Sequence, residues 1–226
     1  MELSGRRAQG LELTARDQDI LRWIGRHGMV TVEQVAPRFF AHEGGDGKPA
    51  AYKRLHKLCE RDLLRRDRCP HLHVPDLLRL TTAGAKVAGV GLRPARLVVA
   101  QVPHALALVD LTEQLLGAHP GAELTTERQV RAQRHAAMRA GARRPGEGRV
   151  ADAVLRLPSG KTVAVELELT PKLSKKVEAI IGAYAAERFD YIWWYVPAGA
   201  VARYRQLVQR NRAADYMDVR EWRRCP

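Results

Sequence analysis

The sequence has few cysteines, few acidic residues and no long apolar run. Its 226 residues include three cysteines, Cys59, Cys69 and Cys225, which are too few and too scattered for a disulfide framework. No apolar run approaches the roughly 18 residues of a membrane span, and the chain carries no lipidation motif. The segment MELSGRRAQG at the start lacks the apolar stretch of a signal peptide. We therefore expect a cytoplasmic protein that has no membrane partner.

The shortage of acidic residues gives the chain a strong positive charge. Lysine and arginine together number 38 and aspartate and glutamate 25, so the formal net charge is +13. A surplus of this size favours a polyanion as the partner, and nucleic acid is the commonest. An anionic membrane surface is the weaker alternative because the chain lacks an apolar or lipidated anchor. The hydrophobic fraction of 46% is ordinary, and the length suits one large domain or two small ones.

Helix-capping patterns predict three helices in the first half of the chain. Thr14–Asp17 resembles a capping box and starts the first helix, which Gly28 ends. A second capping box, Thr31–Gln34, starts a short helix that should end at Pro37. Pro49 then suits the first turn of a third helix, AAYKRLHKLCERDLL.

The third predicted helix has an apolar face and a basic face. Its basic residues crowd the N-terminal end, the end that recognition helices insert into the major groove to reach phosphates and guanine edges. The next segment, LLRRDRCPHLHVPDLLRLT, predicts two strands around a polar tip, and a closing helix starts at Thr81 or Thr82. The residues predicted to contact DNA are Lys48, Tyr52, Lys53, Arg54 and Lys57 on the helix and Arg65 and Arg66 on the hairpin.

This order of three helices, a hairpin and a helix predicts a winged helix-turn-helix domain over residues 1–92 that binds double-stranded DNA. The alternative is a helical bundle whose basic face is merely solvated. Residues 93–103 contain two prolines around a short apolar run, and this composition predicts a linker.

The second half, residues 104–226, alternates helical and strand-like segments. The predicted order is helix, three strands, helix, strand, helix and strand, which indicates an α+β or α/β fold. Residues 128–149 hold seven arginines against one acid and predict an extended loop. That loop is either simply solvated or grips phosphate. In the second case its predicted DNA contacts are Arg131, Arg143 and Arg144.

Three carboxylates stand on two neighbouring predicted strands. Asp152 opens the first strand, and the turn PSGK leads to a second strand on which Glu166 and Glu168 share a face. Asp152 can face them across the pair. Such carboxylates repel one another unless a cation lies between them, and a hard divalent ion such as Mg²⁺ or Mn²⁺ can bind there and activate water. The alternative is that all three are surface positions of a half-exposed hairpin.

An aspartate, a turn and then Glu-x-Lys on the next strand resembles the signature of the PD-(D/E)XK nuclease superfamily, which has an αβββαβ core. The resemblance implies that Asp152 and Glu166 bind the metal ion, with Glu113 on the preceding helix as a further metal-binding acid. Asp152, Glu166 and Glu168 would then be catalytic. The resemblance also implies that the C-terminal half, residues 104–226, is a nuclease-like domain.

Two positions depart from the superfamily pattern. The usual proline before the aspartate is Ala151, and the usual lysine is Glu168, a replacement that some restriction endonucleases of the superfamily carry. The following helix can supply the missing catalytic cation. The candidates there are Lys172, Lys175 and Lys176. An active nuclease and a degenerate DNA-binding relative therefore both remain open.

The whole chain also resembles the replication-relaxation family of actinobacterial plasmids and mobile elements. The matching segments are ADAVLRLPSG, VELELT, HALALVDL and TERQVR, and the resemblance covers most of residues 14–200. The resemblance implies a winged helix joined to a nuclease-like domain. It also implies a protein that acts on DNA in the replication or maintenance of a mobile element.

Three functional hypotheses follow from these patterns. The first is a DNA-binding protein whose nuclease-like domain adds backbone grip or contacts within a homodimer. The second is a Mg²⁺-dependent DNA endonuclease, and the third is a dimeric transcriptional regulator with an inactive nuclease-like domain.

Overall fold

Two separate β-sheets organise the computed structural model, which describes residues 12–41, 45, 47–141 and 149–223. The first is an antiparallel sheet of three strands, in which the third strand along the chain lies between the other two. The second is a mixed sheet of five strands that lie side by side in chain order. Helices pack on both sheets, so the chain has an α+β fold.

The first sheet is surrounded by four helices that bury one apolar core. The elements in chain order are α1 (Ala15–His27), β1 (Val30–Thr31), α2 (Val32–Phe39), α3 (Lys48–Glu60), β2 (Leu64–Asp67), β3 (Leu77–Leu80) and α4 (Thr82–Ala88). Both predicted capping boxes are present, at the start of α1 and of α2. The core includes Ile20, Leu55 and Leu58, none of which is exposed to solvent.

Helix α2 extends past its expected end. We predicted that Pro37 would terminate it, but the helix runs to Phe39 with Pro37 inside it. Pro37 is the sixth residue of α2, beyond the first turn, so the helix lacks the hydrogen bond that an N–H at this position would donate to the Glu33 carbonyl. The helix ends just two residues later, so the prediction of the boundary was wrong by less than one turn.

The second sheet joins an antiparallel part to a parallel part. Strands β4, β5 and β6 pair antiparallel, whereas β6, β7 and β8 pair parallel. Helix α5 covers one face, and α7 and α8 cover the other. The elements are α5 (Val102–Ala118), β4 (Glu123–Thr126), α6 (Glu127–Arg139), β5 (Ala153–Arg156), β6 (Thr162–Leu167), α7 (Ser174–Ala185), β7 (Tyr191–Val196), α8 (Val201–Arg210) and β8 (Met217–Glu221).

Part of the predicted arginine-rich loop is helical. Residues 127–139 form α6, and the capping box that starts it, Thr126 with Gln129, is visible in the sequence as T-x-x-Q. The prediction of an extended loop was therefore wrong for this part. Arg143 and Arg144, the other two DNA contacts predicted in that loop, lie outside the described residues.

Helix α5 packs against both halves of the chain. Leu111 and Leu115 contact the second sheet, while Val109 belongs to the core of the first half. Polar contacts add to this junction, because Gln34 Nε2 donates to the Leu106 carbonyl at 2.9 Å and Thr126 Oγ1 donates to the Arg26 carbonyl at 2.9 Å. The helix begins at Val102, inside the predicted 93–103 linker.

No described helix is both long enough and apolar enough to cross a membrane.

Candidate functional site

Asp152 and Glu166 face each other at one end of the second sheet. Strands β5 and β6 pair Ala153 with Val165, and continuing that antiparallel register by one residue sets Asp152 opposite Glu166. One oxygen of Asp152, Oδ2, accepts the Leu167 N–H at 2.9 Å. The two carboxylates are therefore neighbours, as the spacing of the sequence predicted.

His104 at the start of α5 holds Asp152 from the other side. Its Nε2 lies 3.3 Å from Asp152 Oδ2 and 3.1 Å from the Leu167 carbonyl oxygen. The hydrogen bond to Asp152 raises the pKa of His104, although burial opposes the shift. The raised pKa favours the imidazolium form of His104, whose charge is opposite to that of Asp152.

Glu166 is a buried carboxylate whose two oxygens are both occupied. Only 2% of the residue is exposed. Arg149 donates from Nε to Oε1 at 3.0 Å and from Nη2 to Oε2 at 2.7 Å, and the Tyr184 hydroxyl also donates to Oε1. Burial raises the pKa of Glu166 and nearby Asp152 raises it further, while the bonds from Arg149 and Tyr184 oppose the rise. Arg149 is therefore the cation that compensates this buried charge.

Glu168 has a cation of its own, Lys172. The Lys172 ammonium forms an ion pair with Glu168 Oε2, and its backbone N–H donates to the Tyr204 hydroxyl at 2.9 Å. Burial and the neighbouring Arg149 lower the pKa of Lys172. The structure thus brings together four predicted site residues: Asp152, Glu166, Glu168 and Lys172.

This arrangement does not fit a divalent metal ion. A Mg²⁺ or Mn²⁺ ion needs carboxylate oxygens that face it without a competing cation. Here Arg149 and Tyr184 occupy both oxygens of Glu166, and Lys172 occupies Glu168. Within the described part of the chain, no three His, Cys, Asp or Glu side chains converge as metal ligands. A metal ion at this site stays a prediction that the geometry does not support.

Glu113, the third predicted metal ligand, lies at a different place. It accepts a hydrogen bond from Trp23 Nε1 at 3.0 Å and forms an ion pair with Arg38. Both partners belong to the first half of the chain, and Glu113 lines a cavity there whereas Asp152 lines another. Glu113 therefore ties α5 to α1 and α2, and the structure does not bring it to Asp152.

Helix α3 carries exposed lysines from its first residue to its last turn. Lys48, Lys53 and Lys57 are exposed. Tyr52 is 43% exposed, and its hydroxyl donates to Glu33 Oε1 at 3.2 Å.

Arg54 differs from its neighbours on α3 because it pairs with a buried acid. Its Nε donates to Asp17 Oδ1 at 2.6 Å and its Nη2 to Asp17 Oδ2, while the Asp17 side chain is fully buried. This guanidinium joins α3 to the capping box of α1. Arg54 therefore has a structural role in this fold, and its contact with DNA stays a prediction.

The other arginines predicted to contact DNA, where the structure describes them, have acidic partners. Arg65 lies 3.2 Å from Asp67, Arg66 lies 3.9 Å from Asp76, and Arg131 donates from Nε to Glu127 at 2.8 Å. Asp67 is buried and also pairs with Arg79, whereas the Arg131–Glu127 pair is more exposed and contributes little to stability.

Sequence reasoning missed three residues of the carboxylate site. Arg149 stood in the sequence as the last member of the arginine-rich run, three residues before Asp152. His104 and Tyr184 carried no local signal that distinguished them, since their partners are distant in sequence.

The fold and this site define an α+β protein with a basic helix surface and a charge-compensated carboxylate cluster. A model of the family described as replication-relaxation matches residues 21–192, about three quarters of the chain. The chain therefore belongs to the replication-relaxation family, as its motifs indicated. No curated protein and no solved structure gives a significant match.

Proposed function

We propose that the protein binds double-stranded DNA through α3 and the β2–β3 hairpin, in the replication or maintenance of a mobile element. The order of α1, α2, α3 and a hairpin supports the winged helix-turn-helix interpretation. The observation that carries the proposal is the exposure of Lys48, Lys53 and Lys57 along α3, from its first residue to its last turn. Membership of the replication-relaxation family supports a role in replication.

The proposed role of the second half is to grip DNA without cutting it. The order α5, β4, β5, β6, α7, β7 supports an αβββαβ nuclease-like core, with α6 inserted after β4. Arg149 and Lys172 neutralise Glu166 and Glu168 from within the protein, so the carboxylates need no metal ion to be stable. This compensation favours a degenerate nuclease-like domain.

The metal-dependent endonuclease is the second candidate, and one observation favours it. Asp152 lies opposite Glu166 across β5 and β6, which is the arrangement expected of two metal ligands. Such activity requires Arg149 to leave Glu166.

The regulator hypothesis and the homodimer stay predictions. A symmetric footprint of two half-sites on DNA tests both.

The salt dependence of DNA binding tests the proposed duplex surface. If Lys53 and Lys57 contact phosphates, replacing either with alanine lowers the slope of log affinity against log salt by about one unit. The affinity should fall for all sequences alike, because phosphate contacts carry no base information. Fluorescence anisotropy with a labelled duplex at several salt concentrations measures the slope.

A matched control is available on another helix of the first half. Lys86 is exposed on α4, outside the proposed surface. Lys86→Ala should leave the slope unchanged. Equal slopes for wild type and the two α3 variants would place the contact surface elsewhere and refute the proposal.

A further inference from the structure

A cleft of about 560 Å³ lies where the two halves of the chain meet. The end of α1 forms one wall, α5 a second wall and the start of α6 a third, and Asp152 also lines the cleft. Its volume is within the range of about 300–1,000 Å³ that suits a small molecule, so it can hold one or two nucleotides but not a duplex.

Arginines from both halves line this cleft. Among the described residues, no acidic side chain pairs with Arg26 at the end of α1, which is exposed. Arg128 of α6 donates from Nη2 to the Arg93 carbonyl at 2.5 Å, but its buried Nε has no hydrogen-bond partner in the described structure. A buried donor without a partner is costly, and a ligand that accepts from it would remove that cost.

The acidic groups of the cleft already have basic neighbours. Glu127 pairs with Arg131, and Asp152 lies beside His104. The positive charges without an acidic partner in the cleft are therefore those of Arg26 and Arg128. Guanidinium groups of this kind bind the negatively charged phosphodiester.

The remaining wall is apolar and aromatic. Leu108, Ala105 and Ala100 line it together with the half-buried ring of His27. Burial lowers the pKa of His27 to about 3, and Arg38 and Arg26 contribute. Its ring is therefore uncharged at neutral pH. A flat neutral ring beside aliphatic side chains suits a stacked base.

We propose that this cleft binds a single-stranded segment of nucleic acid, with phosphates on Arg26 and Arg128 and a base against His27 and Leu108. The proposal rests on the DNA-binding function above, to which it adds a second, separate surface. Helix α3 would hold duplex, while the cleft would hold one or two unpaired nucleotides.

Two variants test this cleft without removing a residue of the core. Arg26→Ala removes one exposed cation, and Ala100→Trp fills the cleft from an exposed position. The control is Arg22→Ala, because Arg22 is exposed on the same helix one turn away and pairs with Asp19. Binding is measured by anisotropy with a labelled oligothymidylate and with a labelled duplex.

We expect each cleft variant to weaken oligothymidylate binding about tenfold, since a stacked base and its phosphate contribute on that scale. Their duplex affinity and that of Arg22→Ala should stay unchanged. Unchanged single-strand affinity in both cleft variants would overturn the proposal, as would an equal loss for the duplex. Lys53→Ala should weaken duplex binding and leave oligothymidylate binding unchanged. If Lys53→Ala does not weaken duplex binding, the proposed function is wrong. The cleft proposal is then decided separately, by the affinity of the cleft variants for oligothymidylate.

Discussion

Replacing Arg149 by alanine is expected to lower the free energy of unfolding by about 3–5 kcal/mol at neutral pH. The substitution leaves Glu166, of which 2% is exposed, without the guanidinium that binds both its oxygens. A buried carboxylate that loses its ion-pair partner costs far more than an exposed one. Urea unfolding monitored by tryptophan fluorescence measures the loss, because Trp194 lies in the core beside this site.

The loss should grow as the pH rises. The pKa of Glu166 is already above its ordinary value of 4.5 in the folded protein, and removing Arg149 raises it further. A group with a raised folded pKa stabilises the fold below its unfolded pKa and loses that contribution as the pH rises. The difference between wild type and Arg149→Ala should therefore be smaller near pH 4.5 than near pH 8.

A double variant provides the control for this effect. Adding Glu166→Gln to Arg149→Ala removes the buried charge, and a neutral amide can still accept a hydrogen bond from Tyr184. We expect the double variant to be more stable than Arg149→Ala at pH 8 and to lose the pH dependence of the difference. A double variant no more stable than the single one would show that Arg149 acts by packing rather than by compensating charge.

Arg54→Ala is expected to lower the free energy of unfolding by about 3 kcal/mol without changing the salt slope of duplex binding. The reason is that Arg54 binds Asp17, whose side chain is fully buried at the start of α1. Lys53→Ala, the neighbouring change, should do the opposite: it should reduce the slope and leave stability within about 0.5 kcal/mol. Equal stability of the two variants would contradict the structural role of Arg54.

The pH dependence of stability gives an independent check of the Asp17–Arg54 pair. Burial favours the neutral form of Asp17, but hydrogen bonds from Arg54 and Thr14 outweigh it and hold the pKa below the ordinary value of 3.8. This pair therefore stabilises the fold above pH 3.8, and its contribution is lost as the pH falls through the folded pKa. The free energy of unfolding of Arg54→Ala should consequently fall less than that of wild type as the pH drops below 4.

Local patterns in the sequence were sufficient to predict most of the elements. Capping boxes located the starts of α1 and α2, and alternation with a PSGK turn located β5 and β6. The opposition of Asp152 and Glu166 also followed, because a two-residue period and a hairpin fix which side chains face each other.

The features that the sequence did not reveal depend on contacts between segments that are distant in sequence. Charge placement alone could not separate Arg54 from Lys53, since the difference is a buried partner 37 residues away. The run of arginines likewise predicted a loop, so the capping box that starts α6 was not recognised. The ion pair of Arg149 with Glu166 was not predicted either. Helix α5 is buried on more than one face, so the direction of Glu113 could not be read from one apolar stripe.

In the proposed function, the protein binds DNA with its own cations and does not need a metal ion. One gel assay with supercoiled plasmid tests it, run in EDTA and in Mn²⁺ or Mg²⁺ and repeated with Asp152→Ala. We predict that the protein retards the plasmid equally in EDTA and in Mn²⁺ and that the plasmid stays supercoiled in every lane. Binding that requires the metal ion, or nicking that appears with Mn²⁺ and disappears with Asp152→Ala, would contradict the claim.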